Sequence, residues 1–261
     1  MERENRKENY VILCFETRSP TCYSIAMNDI IARIREELTS KSDEKSRVSG
    51  ERFFREEIRL YGMKASTLRQ IAVNGWNEIK YLPSNEVYML CEEFWKSGYF
   101  EESAIACEWS YAVRKQYKRE DFLLFEKWVS LYVSNWASCD TLCNHTVGEM
   151  VMKYPEFLAN LKEWTRSPNR WMRRAAAVTL IIPARKGLFL NDIFEIAMLM
   201  LTDRADMVQK GYGWMLKAAS EAHRDEVFTF VMDHKKEMPR TALRYAIEKM
   251  PEELKKAAMA K

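Results

Sequence analysis

The sequence predicts an all-α protein assembled from successive antiparallel helix pairs, and three features predict it. Glycine and proline are scarce, eight and seven in 261 residues, and they fall mostly between long stretches of helical spacing. Those stretches carry buried stripes, as in Phe122, Phe125, Val129 and Tyr132, widened by Leu123, Trp128 and Leu131. A weak repeat places Ala104, Asp140, Arg174 and Lys210 at comparable points in successive segments, separated by 36, 34 and 36 residues. A period of that size with two helices per unit is the mark of an α-solenoid of HEAT-like pairs, in which the second helix of each pair lines a concave groove.

In chain order, residues 1–26 open with mixed charge (Glu2, Arg3, Glu4, Arg6, Lys7, Glu8) and then a short apolar run, Tyr10 to Phe15. That run is far below the roughly 20 residues of a membrane span, and the acids before it disfavour a signal peptide. Residues 1–26 therefore read as an N-terminal extension of uncertain role, and 27–261 as a single HEAT-like domain in the cytoplasm. Met27 opens an amphipathic helix with Ile30, Ile31, Ile34 and Leu38. Breaks are expected at Ser84, Lys118–Asp121, Tyr154–Pro155, Ser167–Pro168, Lys186–Gly187 and Met238–Pro239, giving helices of about 12–16 residues. Pro251 to Lys261, rich in Glu, Lys and Ala, reads as a solvated last helix.

Composition places the chain among ordinary globular proteins, with 47% hydrophobic and 30% charged residues, and a net charge of +3 says little about partners. The distribution of charge says more. Lys162, Arg166, Arg170, Arg173, Arg174, Arg185 and Lys186 stand against Glu163 alone, whereas Ser84 to Glu108 sets Glu86, Glu92, Glu93, Glu101, Glu102 and Glu108 against Lys96. The first stretch is expected to attract phosphate and the second to repel it. Six cysteines without a secretory leader suggest reduced thiols. Cys139, Cys143 and His145 lack a fourth ligand at zinc spacing, so no metal is expected.

Trp136 and Asp140 stand at i and i+4 and share one helix face, as do Arg170 with Arg174 and Lys210 with Trp214. Taken singly, tryptophans usually pack in cores and arginines lie at surfaces. Together, a carboxylate among apolar or small neighbours (Trp136, Cys139, Leu142, Cys143), the most basic segment of the chain and eight tryptophans describe a site.

These residues resemble the bacterial AlkD-type DNA alkylation repair proteins, HEAT-like alkylpurine DNA glycosylases. Four stretches match in order: Arg59-Leu60-Tyr61-Gly62 with Leu68-Arg69-Gln70; Asn135-Trp136-Ala137-Ser138-Cys139-Asp140; Trp171-Met172-Arg173-Arg174-Ala175-Ala176; and Gln209-Lys210-Gly211-Tyr212-Gly213-Trp214. The resemblance runs from about Met27 to the C-terminus. It implies that Asp140 is the catalytic carboxylate, Arg174 a clamp on a backbone phosphate, and Trp136 and Trp214 aromatic walls against the lesion-bearing sugar. Phe53, Arg170, Arg173 and Lys210 complete the expected DNA contacts. The sequence departs from the family at Ala137, where a second acid often stands, and at Phe53, where a tyrosine is usual.

The implied partner is duplex DNA with an alkylated purine, bound by a monomer without membrane, metal or cofactor. A purine alkylated at N3 or N7 is already cationic and leaves as a neutral base, so one carboxylate that stabilises positive charge at C1′ and orients water suffices. Two other readings stay open: a catalytically weak relative that binds damaged or branched DNA, and an α-solenoid scaffold for protein partners. No glycine-rich phosphate loop, HExxH motif or GxSxG elbow is present.

Overall fold

The computed structural model describes residues 20–260, with side chains from Met27 onward; the expected extension lies largely outside them. Among the described residues every named element is a helix, with one isolated backbone bridge between Arg59 and Tyr99 and no named strand. They divide into two compact units after Ser110. The fold is all-α, as the spacing predicted.

In the first unit, α1 (Pro20–Ser40), α2 (Glu44–Phe53), α3 (Ala65–Ile79), α4 (Ser84–Ser97) and α5 (Phe100–Ala112) follow in order. Helical backbone begins at Pro20, ahead of the Met27 at which the sequence places the helix start. Met27, Ile30, Ile31, Ile34 and Leu38 are all buried, with Ile71 and Ile79 of α3 and Leu90 and Phe94 of α4. Trp109 donates its indole N–H to Ala72 O at 2.9 Å, and α3 comes close to the ring because Gly75 has no side chain.

Two of the six acids between Ser84 and Glu108 are not surface charges. Glu101 is buried and accepts the backbone N–H groups of Tyr61 (3.1 Å) and Gly62 (2.8 Å). Glu102 is buried against Arg35 (2.9 Å) and the Tyr61 hydroxyl (2.7 Å). Gly62 sits at φ +85° with Arg47 backbone where a Cβ would stand, so the Arg59–Gly62 motif is a loop clamped by carboxylates.

The second unit runs α6 (Asp121–Leu131), α7 (Trp136–Thr141), a π-helical turn (Leu142–Val147), α8 (Gly148–Lys153), α9 (Leu158–Trp164), α10 (Arg170–Val178), α11 (Ile181–Arg185), α12 (Leu190–Leu199), α13 (Asp206–Ala219), α14 (Arg224–His234), α15 (Arg240–Ala246) and α16 (Glu252–Met259). Every expected break falls at an element end or between elements. Many helices are shorter than the expected 12–16 residues, because the chain changes to π-helix after α7 and turns sharply at Gly187 (φ +72°).

Phe122, Phe125, Trp128 and Val129 of α6 are buried as expected, but Leu123 and Leu131 are each 66% exposed. Leu123 lies about 100° around the helix from Phe122, off the stripe that successive steps of three and four trace. Ala104, Asp140, Arg174 and Lys210 are each the fifth residue of their helix, so the repeat places them in equivalent local positions.

Candidate active site

Asn135 caps α7: its side-chain oxygen accepts from Ser138 N at 2.9 Å, in the extended backbone conformation usual for such a cap. This makes Trp136 the first helical residue and sets Asp140 one turn along. Cys139, Leu142 and Cys143 turn fully inward, and Cys139 Sγ lies 3.7 Å from Trp171 O. Beyond Asp140 the helix widens into the π turn, the rare i→i+5 form. Gly148 accommodates it: a Cβ there would stand 2.9 Å from Thr179 O and 3.2 Å from Cys143 O.

Asp140 is not bare. Arg174 of α10 meets it in a two-pronged ion pair, Nε to Oδ1 at 2.8 Å and Nη2 to Oδ2 at 2.8 Å. Nη1 donates to the Met207 carbonyl at the start of α13. The Arg174 side chain is 6% exposed and that of Asp140 13%, so both are largely buried and Asp140 is the more open of the two. Arg174 fits because α13 offers Gly211 beneath it; a Cβ there would approach Arg174 Cγ to 3.3 Å. Three of the five guanidinium N–H groups are used in these bonds.

Burial pushes the Asp140 carboxyl above the usual aspartate range, and the hydrogen bonds and charge of Arg174 pull it back only in part. For Arg174, burial acts against the charged form, but Asp140 outweighs it and the guanidinium is held more firmly protonated than usual. The fork-on-fork geometry is what allows both charges to stay so far from water.

Trp136 and Trp214 are both half-buried, and the Trp214 indole N–H has no acceptor among the described residues. Lys210, one turn before Trp214, pairs with Asp206 at 2.8 Å. A sequence model of the family described as DNA alkylation repair enzyme matches residues 34–250.

The chain belongs to the DNA alkylation repair enzyme family.

Its fold is similar to the solved structure of a predicted DNA alkylation repair enzyme from Enterococcus faecalis, with a TM-score of 0.73, 15% identity, and coverage of 81% of this chain and 98% of that one. At that identity the likeness speaks for the fold alone. No curated protein matches the sequence. Among the described residues no helix is long and apolar enough to cross a membrane, and no three His, Cys, Asp or Glu side chains are grouped to hold a metal. Cys91, Cys107, Cys139 and Cys143 are buried free thiols.

In this member of the DNA alkylation repair enzyme family, Asp140, Arg174, Trp136, Lys210 and Trp214 all lie in the second unit, as do Arg170 and Arg173. Phe53, at the end of α2 in the first unit, is 67% exposed, edge-on to Phe54 with centroids 5.5 Å apart. Arg170 is exposed with its guanidinium 4.7 Å over the Trp171 ring. Arg173 is bound to Asp203 at 2.6 Å and to Ser167 O at 2.8 Å, so it braces the entry to α10.

The basic stretch is less bare than its composition suggests. Lys162 pairs with Asp192 (2.9 Å), Arg166 with Glu163 (2.8 Å) and Arg185 with Glu221 (3.5 Å), in addition to the two buried pairs. The acidic partners of Lys162, Arg173, Arg174 and Arg185 come from helices and loops far along the chain, which a one-dimensional charge tally cannot see. Sequence reasoning also missed Gly211 and the Met207 carbonyl, both of which hold Arg174 in place. Only Gly211 left a signal, since a mid-helix glycine is unfavourable by about 1 kcal/mol and implies close approach.

Proposed function

We propose that this member of the alkylation repair family is a DNA glycosylase that hydrolyses the N-glycosidic bond of N3- or N7-alkylated purines in duplex DNA. The observation that carries the reading is the Asp140 carboxylate: mostly buried, paired with a two-pronged arginine, yet still partly exposed and one helical turn from the half-buried indole of Trp136. A carboxylate in such surroundings exerts a strong field on any positive charge brought to it.

The bond from C1′ to the cationic base breaks with its electron pair going to the base, which departs neutral. Asp140 faces the oxocarbenium character left at C1′. A water hydrogen-bonded to a free lone pair of Asp140 adds its oxygen to C1′ and gives its proton to the carboxylate and then to solvent, leaving an abasic site. The indoles of Trp136 and Trp214 present π faces to the cationic nucleoside. Arg174 uses its remaining N–H groups on a phosphate oxygen of the lesion strand, with Lys210, Arg170 and Phe53 as further DNA contacts and Arg173 holding α10 in place.

The test is release of 7-methylguanine from methylated duplex under single turnover. The parent should release it and Asp140→Asn should be slower by about 10²–10³-fold, the range for loss of one preorganised charged group. A parent that frees no base at saturating protein refutes the glycosylase. One observation favours the binding-only reading: two lone pairs of Asp140 are already taken by Arg174. In that case the parent would bind the same duplex, with affinity falling steeply as salt rises, and release nothing.

A further inference from the structure

Helix α15 packs against α13 and brings to the site an aromatic hydroxyl that has no assigned role. The approach is set by Gly213, the residue before Trp214. A Cβ there would stand 2.7 Å from Tyr245 Cβ and 2.7 Å from the Ala242 carbonyl, so only glycine lets the two helices meet at this point. Tyr245 is thereby drawn against the helix that carries Trp214. Its ring is half-buried, and Lys217, three residues after Trp214, holds its ammonium 5.5 Å from the ring centroid while pairing with Glu248 at 2.9 Å.

The phenol also lies within electrostatic reach of the Arg174 guanidinium. Its hydroxyl makes no hydrogen bond to any described residue, and it is not sealed from solvent. An open phenol donor within electrostatic reach of an arginine with two unused N–H groups, and beneath a lysine ammonium, matches an anionic oxygen that several donors share. A bridging phosphodiester has such oxygens.

We propose that Tyr245 is a DNA-contacting residue of this site, its hydroxyl donating to a phosphate oxygen of the strand that Arg174 engages. This rests on the DNA reading above. A neutral donor adds affinity without displacing a counterion, which sets its signature apart from that of arginine or lysine.

The experiment measures binding of a duplex carrying a tetrahydrofuran abasic analogue, across a salt series, for the parent, Tyr245→Phe and Arg174→Ala. Tyr245→Phe keeps the ring beneath Lys217 and should bind about tenfold more weakly at every salt concentration, with the parent's log–log slope. Arg174→Ala should weaken binding and also make the slope shallower by about one. In the parent, the duplex should protect Tyr245 from nitration by tetranitromethane, read by peptide mapping. Tyr245→Phe binding within twofold of the parent, or Tyr245 nitrated equally with and without duplex, overturns this proposal alone. A parent that binds no duplex overturns the DNA reading and this proposal with it.

Discussion

Replacing Arg174 should change both the stability of the protein and the pH at which it works, because one side chain serves both. Removing one partner of a buried ion pair costs about 3–5 kcal/mol, since the remaining charge is stranded away from water. For a chain of this size that is a fall in melting temperature of roughly 6–20 °C at neutral pH. Arg174→Ala also leaves the Met207 carbonyl without its donor, so the upper half of the range is expected.

The pH dependence has a definite sign. In the parent, burial holds Asp140 above its unfolded value, so the folded state binds the proton more tightly than the unfolded chain. The favourable contribution of that proton is full below the unfolded value and is lost as pH rises through the folded one. Without Arg174 only burial remains, and the carboxyl moves further up. The gap in melting temperature between parent and Arg174→Ala should therefore narrow as the buffer is taken from neutral to acidic.

Base release should respond in parallel. The acid limb of the single-turnover rate, where Asp140 loses its charge, should shift to higher pH in Arg174→Ala and by a smaller amount in Arg174→Lys, which keeps the charge without the fork. An acid limb in Arg174→Ala that stays at the parent's pH or moves lower would show that Arg174 does not set the charge of Asp140.

Other expected outcomes follow from single contacts. Gly213→Ala places a methyl 2.7 Å from a backbone carbonyl and should destabilise by about 1–3 kcal/mol, measurable by denaturant titration. Gly211→Ala comes within 3.3 Å of Arg174 Cγ and 3.6 Å of Arg174 Nη1 and Val178 Cγ1, side-chain atoms only, so it should slow base release while moving the melting temperature by no more than a few degrees. Glu101→Ala strands the Tyr61 and Gly62 N–H groups and should raise the hydrogen exchange of that loop, at a cost of about 1–3 kcal/mol. A chain beginning at Met27 should fold, since it keeps the buried Met27, Ile30, Ile31, Ile34 and Leu38 of α1; an unfolded circular dichroism spectrum would show that the preceding residues are needed.

The all-α class and the helix breaks were legible because they rest on local chemistry. Ser84, Asp121 and Pro155 each open an element, and Gly187 turns the chain at positive φ. What was not legible is which apolar residues lie inside. Leu123 and Leu131 are as hydrophobic as their buried neighbours, and only the angle of each around α6 decides that both face solvent. The π turn after Asp140 likewise has no compositional mark, because it depends on the space that Gly148 leaves beside Thr179.

The candidate site divides along the same line. Spacing within one helix correctly placed Trp136 and Asp140 a turn apart behind the Asn135 cap, since a helix fixes its own faces. Pairing between helices was opaque. The sequence shows Arg173 and Arg174 as adjacent, equivalent cations, yet a step of about 100° sends one to Asp203 and the other to Asp140. The same geometry explains why a basic stretch was overread. Seven cations in one stretch of chain cannot announce that acids on α7 and α12, and on the loops after α12 and α13, will fold back onto most of them. A charge tally along the sequence therefore overstates the field available to phosphate. On the proposed reading, the cations that serve binding are those whose partners leave N–H groups unused, and Arg174, with two of five uncommitted while its others hold a mostly buried Asp140, meets that condition.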